Sequence, residues 1–163
     1  MPATVEQVWS WLGEVPDPEI PAISVVDLGI VREVEFDGAE LVVTVTPTYS
    51  GCPANIAIAL AIEAALRGHG LERVRLRSRL SPPWTTDWIS EDGKYKLRAF
   101  GIAPPVGKAA GLVRLLVRQP LTVPCARCGS TDTARISEFG STPCKAQYRC
   151  RSCLEPFDYF KCH

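Results

Sequence analysis

Residues 31–67 read VREVEFDGAELVVTVTPTYSGCPANIAIALAIEAALR, and this stretch decides the fold. Its first half holds two runs rich in valine, phenylalanine and threonine, residues 31–36 and 41–46. Between them Asp37-Gly38 supplies the two residues that best tolerate a tight hairpin turn. The second half changes period. Pro53 stands at a first helical position, where no amide hydrogen is needed. The Ala/Ile/Leu-rich run to Arg67 reads as a helix, and Gly68 and Gly70 stop it. Residues 71–80 then alternate, with Val74, Leu76 and Leu80 on one face and Arg73, Arg75, Arg77 and Arg79 on the other, the pattern of a half-buried strand. Two strands, a helix and a third strand predict an α+β domain: a small sandwich-like arrangement of a mixed sheet and packed helices.

Upstream, Val5, Val8, Trp9 and Leu12 fall at helical spacing and predict a short helix over residues 5–14. Pro16-Asp17-Pro18-Glu19-Ile20-Pro21 follows, where three prolines fix φ and remove donors, so regular structure is excluded. Downstream, Pro82-Pro83 ends the third strand. Asp87 is a candidate cap for a last helix from residue 88 to about residue 100, against which Gly93 counts. Residues 101–120 are rich in proline and glycine and read as a linker with an ordered patch at 112–117. Strand-like pieces at 133–139, 147–150 and 157–160 belong to a small module at the end of the chain. The expected organisation is a domain over 1–103, a linker over 104–120 and a metal-held ribbon over 121–163.

The ribbon rests on two Cys-x-x-Cys pairs, Cys125 with Cys128 and Cys150 with Cys153. Each turn points two thiolates at one centre, about 2.3 Å from each sulfur for Zn²⁺, and two turns complete a tetrahedron. A four-thiolate site is coordinately closed, so it supports a fold and does not catalyse. Four thiolates also suit an iron–sulfur cluster. The paired knuckles, without the tight spacing of many cluster-binding runs, favour a structural Zn²⁺. Cys144, between Pro143 and Lys145, is a secondary candidate for a redox or transient metal role, and Cys162 and His163 are further donors.

Composition sets limits. The chain has 163 residues, 46% hydrophobic and 22% charged, with zero net charge. These are the proportions of a soluble globular protein, and there is no global basic field to attract nucleic acid. No basic segment followed by an apolar run opens the chain, and no apolar stretch reaches the roughly 18 residues that span a membrane. Seven cysteines without a secretion signal point to a reducing compartment, the cytoplasm.

Cys52 lies just before the second helix. There the helix dipole and free backbone amides favour a thiolate. The alternative is that it serves as a small buried hydrophobe. No histidine accompanies it, since His69 sits at the far end of the same helix and His163 is the last residue, so a Cys–His hydrolase is disfavoured. Asp17 and Glu19, held in the proline-fixed loop, could ligate metal or act as acid and base. Equally, Asp17 could cap a turn while Glu19 is solvated. The four-arginine face reads either as a solvated strand face or as a docking patch for an acidic partner.

Together, Asp17-Pro18-Glu19-Ile20-Pro21, Val26-Asp27-Leu28-Gly29-Ile30-Val31, and Thr46-x-Thr48 leading into Gly51-Cys52-Pro53 resemble the small domain shared by SufT-type proteins and cytosolic iron–sulfur targeting factors. With Asp87-Trp88-Ile89, Phe139-Gly140-Ser141-Thr142-Pro143-Cys144-Lys145 and the ribbon, the whole chain is similar to the PaaD family, accessory subunits encoded with the phenylacetyl-CoA epoxidase of aerobic phenylacetate degradation. The resemblance implies a role in assembling or delivering iron–sulfur clusters to the epoxidase system, outside its catalytic core. It implies a functional site at Cys52, Asp17, Glu19, Thr46 and Thr48, with transient iron or an Fe–S cluster as cargo. The implied partners are the epoxidase reductase, which carries a [2Fe–2S] centre, or oxygenase subunits, and iron–sulfur assembly proteins. Tyr49-Ser50-Gly51 lengthens the segment before the cysteine relative to many of these proteins. A second reading of the same resemblance is a non-catalytic structural or regulatory subunit of the oxygenase complex.

Overall fold

The hairpin expected from Asp37-Gly38 anchors the first of two units in this computed structural model, which describes residues 3–48, 51–107 and 121–161. The units are Met1–Trp84 with Trp88–Ser90, and Thr85–Asp87 with Glu91–His163. In the first, β1 (Val31–Asp37) and β2 (Glu40–Val45) pair antiparallel, and Gly38 takes the positive φ of 62° that the turn requires. Helix α2 (Ala54–Gly68) then returns the chain so that β3 (Val74–Ser78) lies parallel to β2, giving a mixed sheet of order β1-β2-β3. Helix α1 (Val5–Leu12) opens with a capping box. Gln7 N donates to Thr4 Oγ1 at 3.3 Å, and Thr4 N donates to Gln7 Oε1 at 2.9 Å.

The core follows from helical spacing. Helix α1 buries Val8 and Leu12, and α2 buries Ala54, Ile58, Ile62 and Leu66, one residue per turn. Helix α1 packs on α2 and β1, and α2 packs on β3. Strand β2 is buried on both faces: Leu41, Val42, Val43 and Thr44 are all fully buried. In the sheet register Val42 lies between Glu35 and Arg75, and Thr44 between Glu33 and Arg77. The long side chains of β1 and β3 close over them. Arg77 pairs with Glu35 at 3.1 Å, Arg79 with Glu33 at 2.7 Å, and Arg75 with Glu40 at 2.8 Å and Asp37 at 3.4 Å. Three of the four arginines on this face are therefore answered by acids of the same unit. Exposed pairs of this kind contribute about 0–1 kcal/mol each, so their larger effect is to cover β2 with their aliphatic stems.

The motif Val26-Asp27-Leu28-Gly29 has a structural explanation. Asp27 Oδ2 accepts from Ser24 N at 3.1 Å, and Ser24 Oγ accepts from Asp27 N at 3.0 Å. The Asp27 carbonyl accepts from Ser90 N at 2.9 Å, and the Leu28 carbonyl accepts from Trp84 Nε1 at 2.8 Å. Gly29, at φ 70°, faces Trp88. A Cβ there would meet the Trp88 carbonyl oxygen at 2.6 Å and its Cβ at 2.7 Å. With Ser90 N committed to Asp27, the helix expected from residue 88 begins later. Thr86–Trp88 forms a 3₁₀ turn, and α3 spans Glu91–Ala99.

In the second unit, strands β4 (Ile102–Ala103), β5 (Thr133–Ser137), β6 (Lys145–Cys150) and β7 (Pro156–Phe160) form a sheet of order β4-β7-β6-β5. Strands β5, β6 and β7 are antiparallel, as in a ribbon, and β4 adds in parallel to β7 through Ile102↔Asp158 and Ala103↔Tyr159. Residues 91–103, which the sequence places with the first domain, group here with the ribbon, because Gly101 (φ 92°) turns the chain out of α3 straight into β4. The core is Ala103, Val123, Ala146, Tyr148, Phe157 and Tyr159 with the sulfurs of Cys125 and Cys150. The expected ordered patch at 112–117 lies outside the described residues.

Candidate functional site

Two knuckles build the metal centre. In the first, Gly129 N donates to the Cys125 carbonyl at 2.9 Å, and Arg127 N donates to Cys125 Sγ at 3.3 Å. In the second, Cys150 N donates to the Glu155 carbonyl at 3.0 Å, and Cys153 N donates to Cys150 Sγ at 3.4 Å. Each knuckle leaves its second cysteine through a left-handed residue, Gly129 at φ 76° and Leu154 at φ 67°. For a leucine that conformation costs on the order of 1 kcal/mol, which the closed turn must offset.

The four sulfurs lie within 4.8 Å of one another. Cys125 and Cys153 sulfurs are 3.8 Å apart, and those of Cys128 and Cys150 are 3.6 Å apart. A tetrahedron with metal–sulfur bonds of about 2.3 Å has edges of about 3.8 Å, so the donor set fits a single tetrahedral ion. The thiols are already differentiated. The Cys153 amide first, with the Ser152 amide and the neighbouring thiols, pulls Cys150 down to about 6 against its burial. Cys153 is pushed up to about 12: the Glu155 amide favours its thiolate, but burial and the three neighbouring thiols together outweigh it. Cys144 stands outside this group, its Sγ 3.0 Å from Thr142 Oγ1. Cys162 and His163 lie outside the described residues.

In the first unit, strand pairing and main-chain hydrogen bonds fix the segments on which the residues expected around Cys52 lie. Because β2 and β3 are parallel, α2 starts at the carboxyl end of β2, and the antiparallel β1 starts at that same end. Main-chain bonds tie the preceding loop there. Asp17 N donates to Ile23 O, Val25 N to Val15 O, Ile30 N to Val25 O, and Thr46 N to Ile30 O, all at 2.8–3.0 Å. Cys52 is partly exposed, and its carbonyl accepts from Asn55 N at 3.1 Å. Pro53 occupies the cap position of α2, with no side-chain cap. Asp17 is buried, and its Oδ1 accepts from Glu19 N at 2.9 Å and Ile20 N at 2.8 Å, so one carboxylate oxygen holds the proline-rich turn. Glu19 and Thr48 are half-buried. Thr46 is buried, and its hydroxyl has no hydrogen-bond partner among the described residues.

The sequence does not announce an apolar groove beside this end. It measures about 510 Å³ and is lined by Ile30, Val45, Pro47, Ile56, Leu60 and Leu80 among others. Ile56 is 73% exposed, Leu60 62% and Leu80 61%. A signal for it exists: Ile56 and Leu60 fall off the Ile58–Ile62–Leu66 row, so α2 carries more apolar residues than one face can bury. His69 does not join the site. Its ring stacks on Trp11 at 4.1 Å, at the other end of α2.

Comparison with known proteins bears on both units. Residues 5–75 match the family described as iron–sulfur cluster assembly protein, and residues 112–161 match the PaaD zinc beta ribbon domain. Over 161 residues, 99% of this chain and 94% of the other, the sequence is 48% identical to a protein of Escherichia coli (strain K12) named as a subunit of a 1,2-phenylacetyl-CoA epoxidase. Among solved structures, a domain of unknown function (DUF59) from Bacillus anthracis superposes with a TM-score of 0.52 at 26% identity, covering 56% of this chain and 89% of that one. A conserved hypothetical protein from Thermotoga maritima superposes with a TM-score of 0.50 at 30% identity, covering 58% and 94%.

Proposed function

This chain belongs to the PaaD family of 1,2-phenylacetyl-CoA epoxidase subunits, and from that premise we propose that it is an iron–sulfur maturation factor for the epoxidase system. One observation carries the reading. Cys52, the first unit's lone cysteine, stands partly exposed at the start of α2, inside the stretch 5–75 that matches an iron–sulfur cluster assembly protein. Its thiolate ligates iron of a passing cluster and gives it up to a client thiolate, with the cluster as cargo. Thr46, whose buried hydroxyl has a free hydrogen-bonding valence among the described residues, and Thr48, Asp17 and Glu19 shape the end of the sheet from which Cys52 projects.

The ribbon metal in this reading is Zn²⁺ on Cys125, Cys128, Cys150 and Cys153. When bound there it supplies folding energy and leaves no open position for chemistry. The protein acts in the cytoplasm, where its thiols stay reduced.

The test is the iron and acid-labile sulfide content of the epoxidase reductase purified from cells lacking this protein, or carrying Cys52→Ala. Cluster-poor reductase in both, rescued by the wild-type chain, supports maturation. A reductase with its full cluster in both strains sinks it. The word "subunit" in the name of the E. coli relative favours the second reading, a non-catalytic structural or regulatory subunit. That reading gains if the full cluster is accompanied by an epoxidase complex that fails to assemble.

A further inference from the structure

Five of the nine described basic side chains in the second unit have acidic partners. Lys94 pairs with Glu91, Lys96 with Asp92, Arg135 with Glu138, Lys145 with Asp158 and Arg151 with Asp132. Arg98, Arg127, Arg149 and Lys161 have none among the described residues, and of these Arg98 and Arg127 line the same clefts and make no side-chain hydrogen bond. Both line a cleft of about 520 Å³ walled by Pro104, Pro105, Val106 and Pro124, and both line an adjoining cleft of about 360 Å³ that includes Tyr95.

Gly101, at φ 92°, turns α3 into β4 and presents a bare Cα. The Arg127 guanidinium lies across it, with Cζ and Nη2 each 3.1 Å from where a Cβ would stand. The backbone of the same residue is fixed by the metal knuckle, through the hydrogen bond its amide donates to Cys125 Sγ. The side chain is exposed to solvent, with its guanidinium resting beside the bare Cα of Gly101 and its backbone anchored in the knuckle.

We propose that these joined clefts are a docking site for an acidic, extended polypeptide segment of a protein partner, with carboxylates on Arg98 and Arg127 and an apolar side chain against the proline wall. Charge complementarity selects the carboxylates. The elongated double cleft and its apolar side select a chain segment over a compact inorganic anion. A different role for Arg127, charge compensation of the thiolate cluster, is disfavoured because its guanidinium lies over Gly101. The inference stands independently of the assembly reading, since either a maturation factor or a complex subunit must dock on another protein.

The test uses the full-length, metal-loaded chain and a fluorescent peptide of sequence Glu-Leu-Glu-Glu-Leu-Glu, followed by anisotropy. Saturable binding is expected, weakened on the order of tenfold by Arg98→Ala or Arg127→Ala, the worth of one charge-assisted hydrogen bond. Arg73→Ala, on the other unit, should leave it unchanged, and the Gln-Leu-Gln-Gln-Leu-Gln peptide should not bind. Metal content after gel filtration serves as the folding control for each variant. The proposal is overturned if the acidic peptide fails to bind the wild type, if Arg73→Ala weakens it as much, or if inorganic phosphate displaces it at equal concentration. It is also overturned if Arg127→Ala releases the metal while Arg127→Lys retains it, which would make the charge a guard of the thiolates.

Discussion

The two units contain the same reactive element, sulfur, and place it differently. In the first, the core is hydrocarbon, Val8, Leu12, Ile20, Ile23, Ile62 and Leu66 among others, and Cys52 stands partly outside it. In the second, Cys125 and Cys150 belong to the core itself, beside Tyr148, Phe157 and Tyr159. A unit whose core is complete without its cysteine can expose that thiol to exchange ligands. A unit whose core is partly thiolate needs an ion to neutralise and hold it, and so cannot lend its sulfurs out.

The largest expected effect breaks the second unit alone. Cys150→Ser, or metal removal by a chelator, should abolish metal content and amide-exchange protection across β5, β6 and β7, because structural zinc contributes on the order of 10 kcal/mol to such modules. Protection in α1, β1 and β2 should persist, and its loss would mean the units do not fold independently. Acid should make the same distinction. The Cys150 thiol is depressed from the ordinary 9.0 to about 6. Its thiolate contribution is therefore complete above pH 9.0 and lost as pH falls through about 6. Protons compete with the metal for all four thiolates, so acid is expected to release it, measured with a colorimetric chelator.

The converse break is Gly29→Ala. It forces a Cβ onto Trp88 at a positive φ, and should cost about 3 kcal/mol or more of the first unit's stability in urea while metal content stays full. Asp17→Ala removes the acceptor of two amides and should cost about 1–2 kcal/mol. The smallest effect on stability belongs to Cys52→Ala, within about 0.5 kcal/mol, with unchanged metal content. If the assembly reading holds, this variant nonetheless leaves the client cluster-poor. A large destabilisation would turn Cys52 into a core residue and erase the contrast between the units.

Much of this is legible in the sequence because it is local. Asp37-Gly38 marks its own turn, Pro53 its own helix start, and two Cys-x-x-Cys pairs their own sulfur cluster, since each is a property of a few adjacent residues. What escapes is set by distant partners. Nothing in Ile102-Ala103 announces Tyr159 as a neighbour, so β4 does not stand out from its surroundings as a strand. Nothing around Trp88 announces that Ser90 N is committed to Asp27, so helical pattern alone starts α3 too early. Leu80 alternates correctly but lies past the end of β3 and is exposed. The arginine face is visible as a pattern, yet Glu33, Glu35 and Asp37, which answer it, sit two strands away across β2. At the candidate site, residue identities come from the resemblance.

The division of the chain has an optical consequence. Its four tryptophans are Trp9, Trp11, Trp84 and Trp88, and all fall within the first unit. Indole emission therefore reports on one unit without contribution from the other, whose aromatic core is tyrosine and phenylalanine and whose thiolates absorb in the ultraviolet when they bind metal. A single cuvette can follow the two halves of this protein on separate wavelengths, with no label added.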